Sequence, residues 1–157
     1  MKLDRLDKKI LNLMQKDARI SNLDLAEQVG LSPSTCSRRI KALEESGLIL
    51  KHVTLLNPEK LNLKLTAYIH INMDKHTPER LNNFNQAVSE MPEVMECALI
   101  TGNDADYQLK VVVPDMEFYQ HFLLEKLTRI EGVTGVRSSF VLQQVKQFTA
   151  LPLDHLE

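Results

Sequence analysis

With 157 residues, 43% hydrophobic and 25% charged, the chain has the makeup of one medium or two small globular domains, which excludes a disordered chain. The N-terminal nine residues carry charges throughout and hold no apolar leader core. No apolar run approaches the roughly 18 residues of a membrane span, so a cytoplasmic protein with no membrane partner is expected. The net charge of −2 hides a split: residues 1–60 hold eleven Lys and Arg against eight Asp and Glu (+3), and residues 61–157 hold eight against thirteen (−5), so only the first part is expected to face phosphate.

From Leu3 to about Asp17, Leu6, Ile10, Leu13 and Met14 share one face of a 3.6-residue period, which predicts a helix. A second helix opens at Ser21, with Asp24 placed for a capping box and Ile20 and Leu25 for a hydrophobic staple, and ends at Gly30. A third follows at once, capped by Ser32 with Pro33 at its first position, and ends at Gly47. The β-prone stretch Leu48–Leu56 reads as a linker strand, and Asn57-Pro58 as a turn near the domain boundary at 57–63.

Beyond it the period changes to two. Leu65, Ala67, Ile69, Ile71 and Met73 alternate with polar residues as a strand with one dry face. A helix opening at Thr77-Pro78 carries Leu81, Phe84, Val88 and Met91 on one side. Glu93–Thr101 is a strand, 102–106 a turn, and Tyr107–Val113 a second alternating strand. Asp115 caps a helix burying Met116, Tyr119, Leu123, Leu127 and Ile130, and Gly132 precedes a last strand, Val133–Val145. The order β-α-β-β-α-β is ferredoxin-like. The expected fold class is α+β. A helix-turn-helix, winged-helix-like domain with its linker strand (1–60) joins a ferredoxin-like ligand-binding and oligomerisation domain (61–157) of the dimeric α+β barrel type. A last strand apolar on both faces calls for a second subunit against the sheet, the alternative being a strand tucked under the N-terminal domain.

Two short helices joined by Gly30-Leu31-Ser32 after a supporting helix make a helix-turn-helix, whose second helix enters the major groove. With Cys36, Ile40 and Leu43 buried, Ser34, Arg38, Lys41 and Glu45 lie opposite. Arg38 is the expected base contact, since a guanidinium bridges guanine O6 and N7. Ser34 and Thr35 reach bases or phosphates near the helix start, and Lys41 and Arg39 are expected phosphate clamps. Ser21 and Asn22 open the second helix, where backbone N–H groups can meet a phosphate. The double-stranded DNA partner follows from this unit.

The residues Leu6-Asp7, Ile10-Leu11, Asp17–Ser21, Leu25-Ala26, Val29–Ser34, Cys36, Arg39, Leu43-Glu44, Gly47 and Ile49 resemble the N-terminal half of the Lrp/AsnC (leucine-responsive, feast/famine) regulators. The likeness continues through Leu56–Pro58, Glu90–Val94, Gly102, Asp106-Tyr107, Gly132-Val133 and Phe140-Val141. It implies homodimers paired through the linker strand and the sheets, commonly four in a ring as an octamer, with an amino acid effector bound between dimers. Carried over residue by residue, effector contacts fall on Thr101, Gly102, Asp106 and Tyr107 and on Ser139, Phe140 and Val141. Three features depart from the family pattern: the 102–107 turn is one residue longer than its commonest form, His52 stands where an aromatic is usual, and Thr54 where alanine is usual.

The turn's own chemistry agrees with sensing, because a carboxylate and exposed backbone groups can hold a small ligand's amine and carboxylate. Asp106 is expected on the amine, with Asp104 beside it. As a catalytic pair these two are better explained by turn preference, and no enzyme activity is expected. The five histidines are scattered and no nucleotide-binding loop occurs, so neither metal nor cofactor is expected. Cys36 and Cys97, inside apolar periodic segments, read as reduced core residues. Competing readings are a nucleoid-like DNA organiser without a ligand, a small dimeric α+β barrel enzyme, and a repressor answering to redox or to another metabolite. The expected mechanism is a population shift, in which ligand between subunits alters the stability of oligomeric states and so which half-sites are engaged together. The expected output is regulation of amino-acid-related metabolism.

Overall fold

The structure, a computed structural model, describes residues 2–102 and 104–156. The chain divides into two compact units, Met1–Leu55 with Lys146–Glu157, and Leu56–Val145.

The first unit is built on three helices: α1 (Arg5–Lys16), α2 (Asn22–Val29) and α3 (Pro33–Glu45). Each start is fixed by a side chain that satisfies an otherwise orphaned N–H. Asp4 caps α1 in a reciprocal box with Asp7, Ser21 caps α2 through Asp24 N, and Ser32 caps α3 with Pro33 at N1. Gly30, at φ +81°, closes α2 in the left-handed region, and its N–H reaches the Ala26 and Glu27 carbonyls. That conformation suits a residue without Cβ. Ile10, Leu11, Leu25, Ala26, Val29, Cys36 and Leu43 form the core, with Ile20 and Leu153 packed against it.

The second unit holds β1 (Leu65–Met73), α4 (Pro78–Ser89), β2 (Val94–Leu99), β3 (Tyr107–Val113), α5 (Met116–Glu125) and β4 (Val133–Phe140). The antiparallel sheet has the order β2-β3-β1-β4. Period-two alternation sends Ala67, Ile69, Ile71, Leu109, Val111 and Val113 into a core shared with Phe84, Val88, Tyr119 and Phe122 of the helices. The other face of the sheet is polar, presenting Tyr68, His70 and Asn72 of β1, Gln108 and Lys110 of β3, and Arg137 and Ser139 of β4.

Several sequence expectations need correction. Leu48–Leu56 forms no strand, because no described residue runs alongside it to accept or donate a ladder; Leu50, Val53, Leu55 and Leu56 stand exposed. The last strand stops at Phe140 rather than Val145, and Leu142 and Val145 are open to solvent. The last helix ends at Glu125. Beyond it Leu127–Arg129 form a 3-10 turn, with Thr128 Oγ1 donating to the Leu123 and Leu124 carbonyls. Met116, expected in the core, stands exposed at the start of the helix, and Phe122 is buried beside Tyr119. Cys97 is not a core residue: it lies exposed on edge strand β2, whereas Cys36 is fully buried. Among the described residues no helix is long and apolar enough to cross a membrane.

Candidate DNA-reading face and effector site

On α3, Ser34, Ser37, Arg38, Lys41 and Ala42 are exposed, and Cys36 and Leu43 are buried, as the helical period requires. Lys41 pairs with Glu45 one turn on at 3.7 Å. At the start of α3 the hydroxyls of Ser32, Ser34 and Thr35 form a chain, with Ser32 Oγ donating to Thr35 Oγ1 at 2.8 Å and lying 3.3 Å from Ser34 Oγ.

Two residues have structural duties that their sequence positions did not announce. Arg39 Nη1 lies 2.7 Å from both Asp4 Oδ2 and Asp7 Oδ1, so its guanidinium closes onto α1. Asp7 is buried. The Asp7 bond first, and then Asp4, raises the Arg39 pKa above its ordinary value. Asp4 is lowered by the Asp7 backbone N–H and by Arg39. Asn22 donates from Nδ2 to the Pro33 carbonyl at 2.9 Å, tying the start of α2 to the start of α3. Ser21 Oγ accepts from Asp24 N and donates to Asp24 Oδ2 at 2.6 Å. The Asp4-x-x-Asp7 spacing, a capping box with aspartate in place of the usual glutamate, marks the start of α1, but nothing local to it points to Arg39.

The residues expected to contact the effector fall into two groups. Gly102 takes φ +93° in an exposed turn beside Thr101; Asn103, read as part of that turn, lies outside the described residues. Asp104 gives its carbonyl to Arg137 Nη2 at 3.3 Å and to Asn72 Nδ2. Asp106 is engaged through both oxygens: Oδ2 accepts from Met73 N and Oδ1 lies against His76 Nε2, each at 2.7 Å. The aromatic ring of Tyr107 is in the core, 4.3 Å from that of Phe84, and its hydroxyl donates to Asn85 Oδ1 at 2.8 Å. Burial raises the Tyr107 pKa. Tyr107 also floors a hollow of about 410 Å³ between α4 and β2, lined besides by Asn85, Val88, Val94, Cys97 and Leu99.

The second group lies elsewhere. Ser139 faces the open side of the sheet opposite Tyr68, Phe140 stands edge-on to Tyr119 at 5.0 Å, and Val141 N donates to Thr66 O. Tyr107 pairs with Ile71 near one end of β1, and Phe140 with Ala67 near the other. Four residues of strand, roughly 13 Å, separate them, so one copy of the unit does not bring the two groups into one pocket. His76, Asn72 and Arg137, which hold the turn, were not read as site residues. Their contacts are long-range, and no local pattern marks them.

Fold and site define a DNA-binding regulator, in which a helix-turn-helix unit is carried on the same chain as a small-molecule-binding α+β unit. Residues 3–49 match the winged helix-turn-helix DNA-binding family, and residues 66–151 match the Lrp/AsnC ligand binding domain. The leucine-responsive regulatory proteins of Klebsiella pneumoniae and of Escherichia coli K12 are each 44% identical to it over 149 residues, covering 95% of this chain and 90% of theirs. Among solved structures, a transcriptional regulator of Neisseria meningitidis in complex with L-methionine superposes with a TM-score of 0.96 at 41% identity, over 99% of this chain and 100% of that one. An AsnC family regulator of Agrobacterium tumefaciens gives 0.93 at 44%, with the same coverage. The chain belongs to the Lrp/AsnC family of transcriptional regulators; these relatives are regulators and not enzymes.

Proposed function

We propose that the protein is a cytoplasmic, sequence-specific regulator of amino-acid-related metabolism, reading DNA with α3 and responding to an amino acid held between dimers. The observation that carries the DNA reading is the exposed face of α3. Arg38 is exposed there and, among the described residues, makes no ion pair, on a helix whose start, turn and supporting helix are all fixed by side-chain bonds. Ser34 and Thr35 sit at its leading end and Lys41 beside it, and Ser21 and Asn22 flank the same edge. Arg39 braces α1 rather than reaching for phosphate. Arg38→Ala is expected to cost about 1–3 kcal/mol of discrimination between a site selected by the wild-type protein and random duplex DNA. An unchanged ratio would remove Arg38 from base reading.

The sensing role rests on the separation of the two effector groups. Thr101, Gly102, Asp104, Asp106 and Tyr107 cluster near one end of β1, and Ser139, Phe140 and Val141 near the other. A ligand touching both groups therefore needs two copies of the domain. The polar sheet face and the unpaired, apolar 48–56 segment supply surfaces for dimers, and an octamer of four dimers follows the family pattern. Relatives named for leucine response and one solved with L-methionine favour an amino acid effector. The test is a thermal-shift screen of the twenty amino acids with Asp106→Asn alongside. Asparagine keeps an acceptor for Met73 N and replaces the charged carboxylate by a neutral amide, whose NH2 then faces His76. A stabilising amino acid whose effect vanishes in that variant supports the amine contact. An equal shift in both proteins removes Asp106 from the ligand's amine.

A further inference from the structure

The C-terminal tail, continuous with β4, returns to the DNA-reading unit. Gln15 of α1 holds the Leu151 backbone at two points: its Nε2 donates to Leu151 O at 3.1 Å, and Leu151 N donates to its Oε1 at 2.7 Å. Leu153 packs onto the core formed by α1, α2 and α3. A turn closed by Leu156 N on the Leu153 carbonyl then delivers the Leu156 carbonyl to Lys8 Nζ. Residues 152–156 lie outside both family matches, which end at residues 49 and 151.

Asp4, Lys8 and Gln15 stand at i, i+4 and i+11, one stripe of α1. Lys8 and Gln15, about 10 Å apart along the axis, are the two anchors of the tail. Asp4, at the head of the stripe, holds Arg39 of α3 together with Asp7. Arg39 adjoins Arg38 in the chain, so the seat of the tail, the register of α1 and the aim of the reading helix are joined by consecutive direct contacts.

We propose that Leu151–Leu156 is a positioning strap for the DNA-reading helix, seated on α1 by Gln15, Lys8 and Leu153 and acting on α3 through the Asp4–Arg39–Asp7 clamp. This rests on the reading of α3 as the helix that contacts bases. The strap sets how well α3 discriminates sequence, while the phosphate contacts, which depend mainly on charge, are left in place.

The test uses the full chain carrying Gln15→Met, which removes both strap bonds from a half-buried helix position, and a chain ending at Ala150. Affinity for the selected site and for random duplex is measured at one salt concentration, well below the melting temperature. Both variants are expected to lose about three- to tenfold in the ratio of selected to random affinity, the scale of one or two hydrogen bonds, with random-duplex affinity within twofold of wild type. A ratio that stays at the wild-type value while the melting temperature falls would overturn the proposal and leave the tail a buttress only. If the shortened chain does not fold, Gln15→Met decides. Arg38→Ala in the same assay separates the two readings: if its ratio is also unchanged, the base-reading assignment has failed and the strap falls with it. If it collapses while Gln15→Met does not, the strap alone has failed.

Discussion

Replacing Arg39 by alanine separates two roles for one cation. The sequence reading made Arg39 a phosphate clamp, whereas the structure closes it on Asp4 and Asp7 at 2.7 Å each. Asp7 matters more, since its side chain keeps only 11% of its exposure. Without Arg39, a nearly buried carboxylate keeps the Asp4 N–H at 3.1 Å as its remaining bond. A hydrogen bond to a charged group is worth about 1.5–3 kcal/mol. Arg39 itself is about a quarter exposed, so the lower end applies, and the Asp4 contact faces solvent. A loss of about 1.5 kcal/mol in a unit of this size lowers its melting temperature by roughly 6–12 °C. Calorimetry on Arg39→Ala, Asp7→Ala and the double variant gives the coupling directly. DNA titrations over a range of salt complete the assay, because a lost phosphate contact reduces the log–log slope by about 0.9. The expected result is a lower melting temperature with an unchanged slope. An unchanged melting temperature with a slope reduced by about 0.9 would refute the clamp and restore the phosphate role.

Gly132→Ala should destabilise the sheet unit by about 1–3 kcal/mol in urea melts. Gly132 sits at φ +93°, where an added Cβ would lie 2.6 Å from Arg80 Cδ, and Arg80 is held in place by Asp74 and Glu131. Asp106→Ala should cost the same unit about 1–3 kcal/mol by stripping the acceptor from Met73 N, and Asp106→Asn should cost less in the same melts. Acid should act on the first unit through Asp4. Its folded-state pKa lies below the ordinary 3.8, so its contribution is intact above that value and is lost as pH falls through the lower, folded one. Carboxyl NMR titration against melts at pH 6 and pH 3 checks this, and Asp4→Asn should flatten that part of the acid response.

What the sequence made legible was local. Ser21, Ser32, Thr77 and Asp115 cap the helices they were expected to cap, because a cap depends on residues three positions away. The alternation in β1 and β3 predicted the buried face residue by residue. The misses depend on distant partners. Leu48–Leu56 has strand composition but no strand alongside it among the described residues. Arg39 looked like any cation on a helix flank until Asp4 and Asp7, more than thirty residues earlier, were brought against it. The candidate effector residues were assigned by resemblance to a family; the contacts that engage Asp106 join residues about thirty positions apart, beyond the reach of any period. Cys97 shows the limit of apolar pattern. It alternates correctly and points to the helix side, but at the sheet edge the helix cover runs out.

The return of the tail also sets a timetable for synthesis. The bonds between Gln15 and Leu151 join residues 136 positions apart, whereas α1, α2 and α3 need only short-range contacts to associate. At about 5–20 residues per second, the ribosome takes roughly 5–20 s to travel from the end of α3 to Leu153. During that interval the three-helix unit exists without its last piece, while the sheet that separates them in sequence is being made. The first unit to emerge is therefore the last to be finished, and a chain that terminates early carries an unfinished reading head however well its sheet has folded.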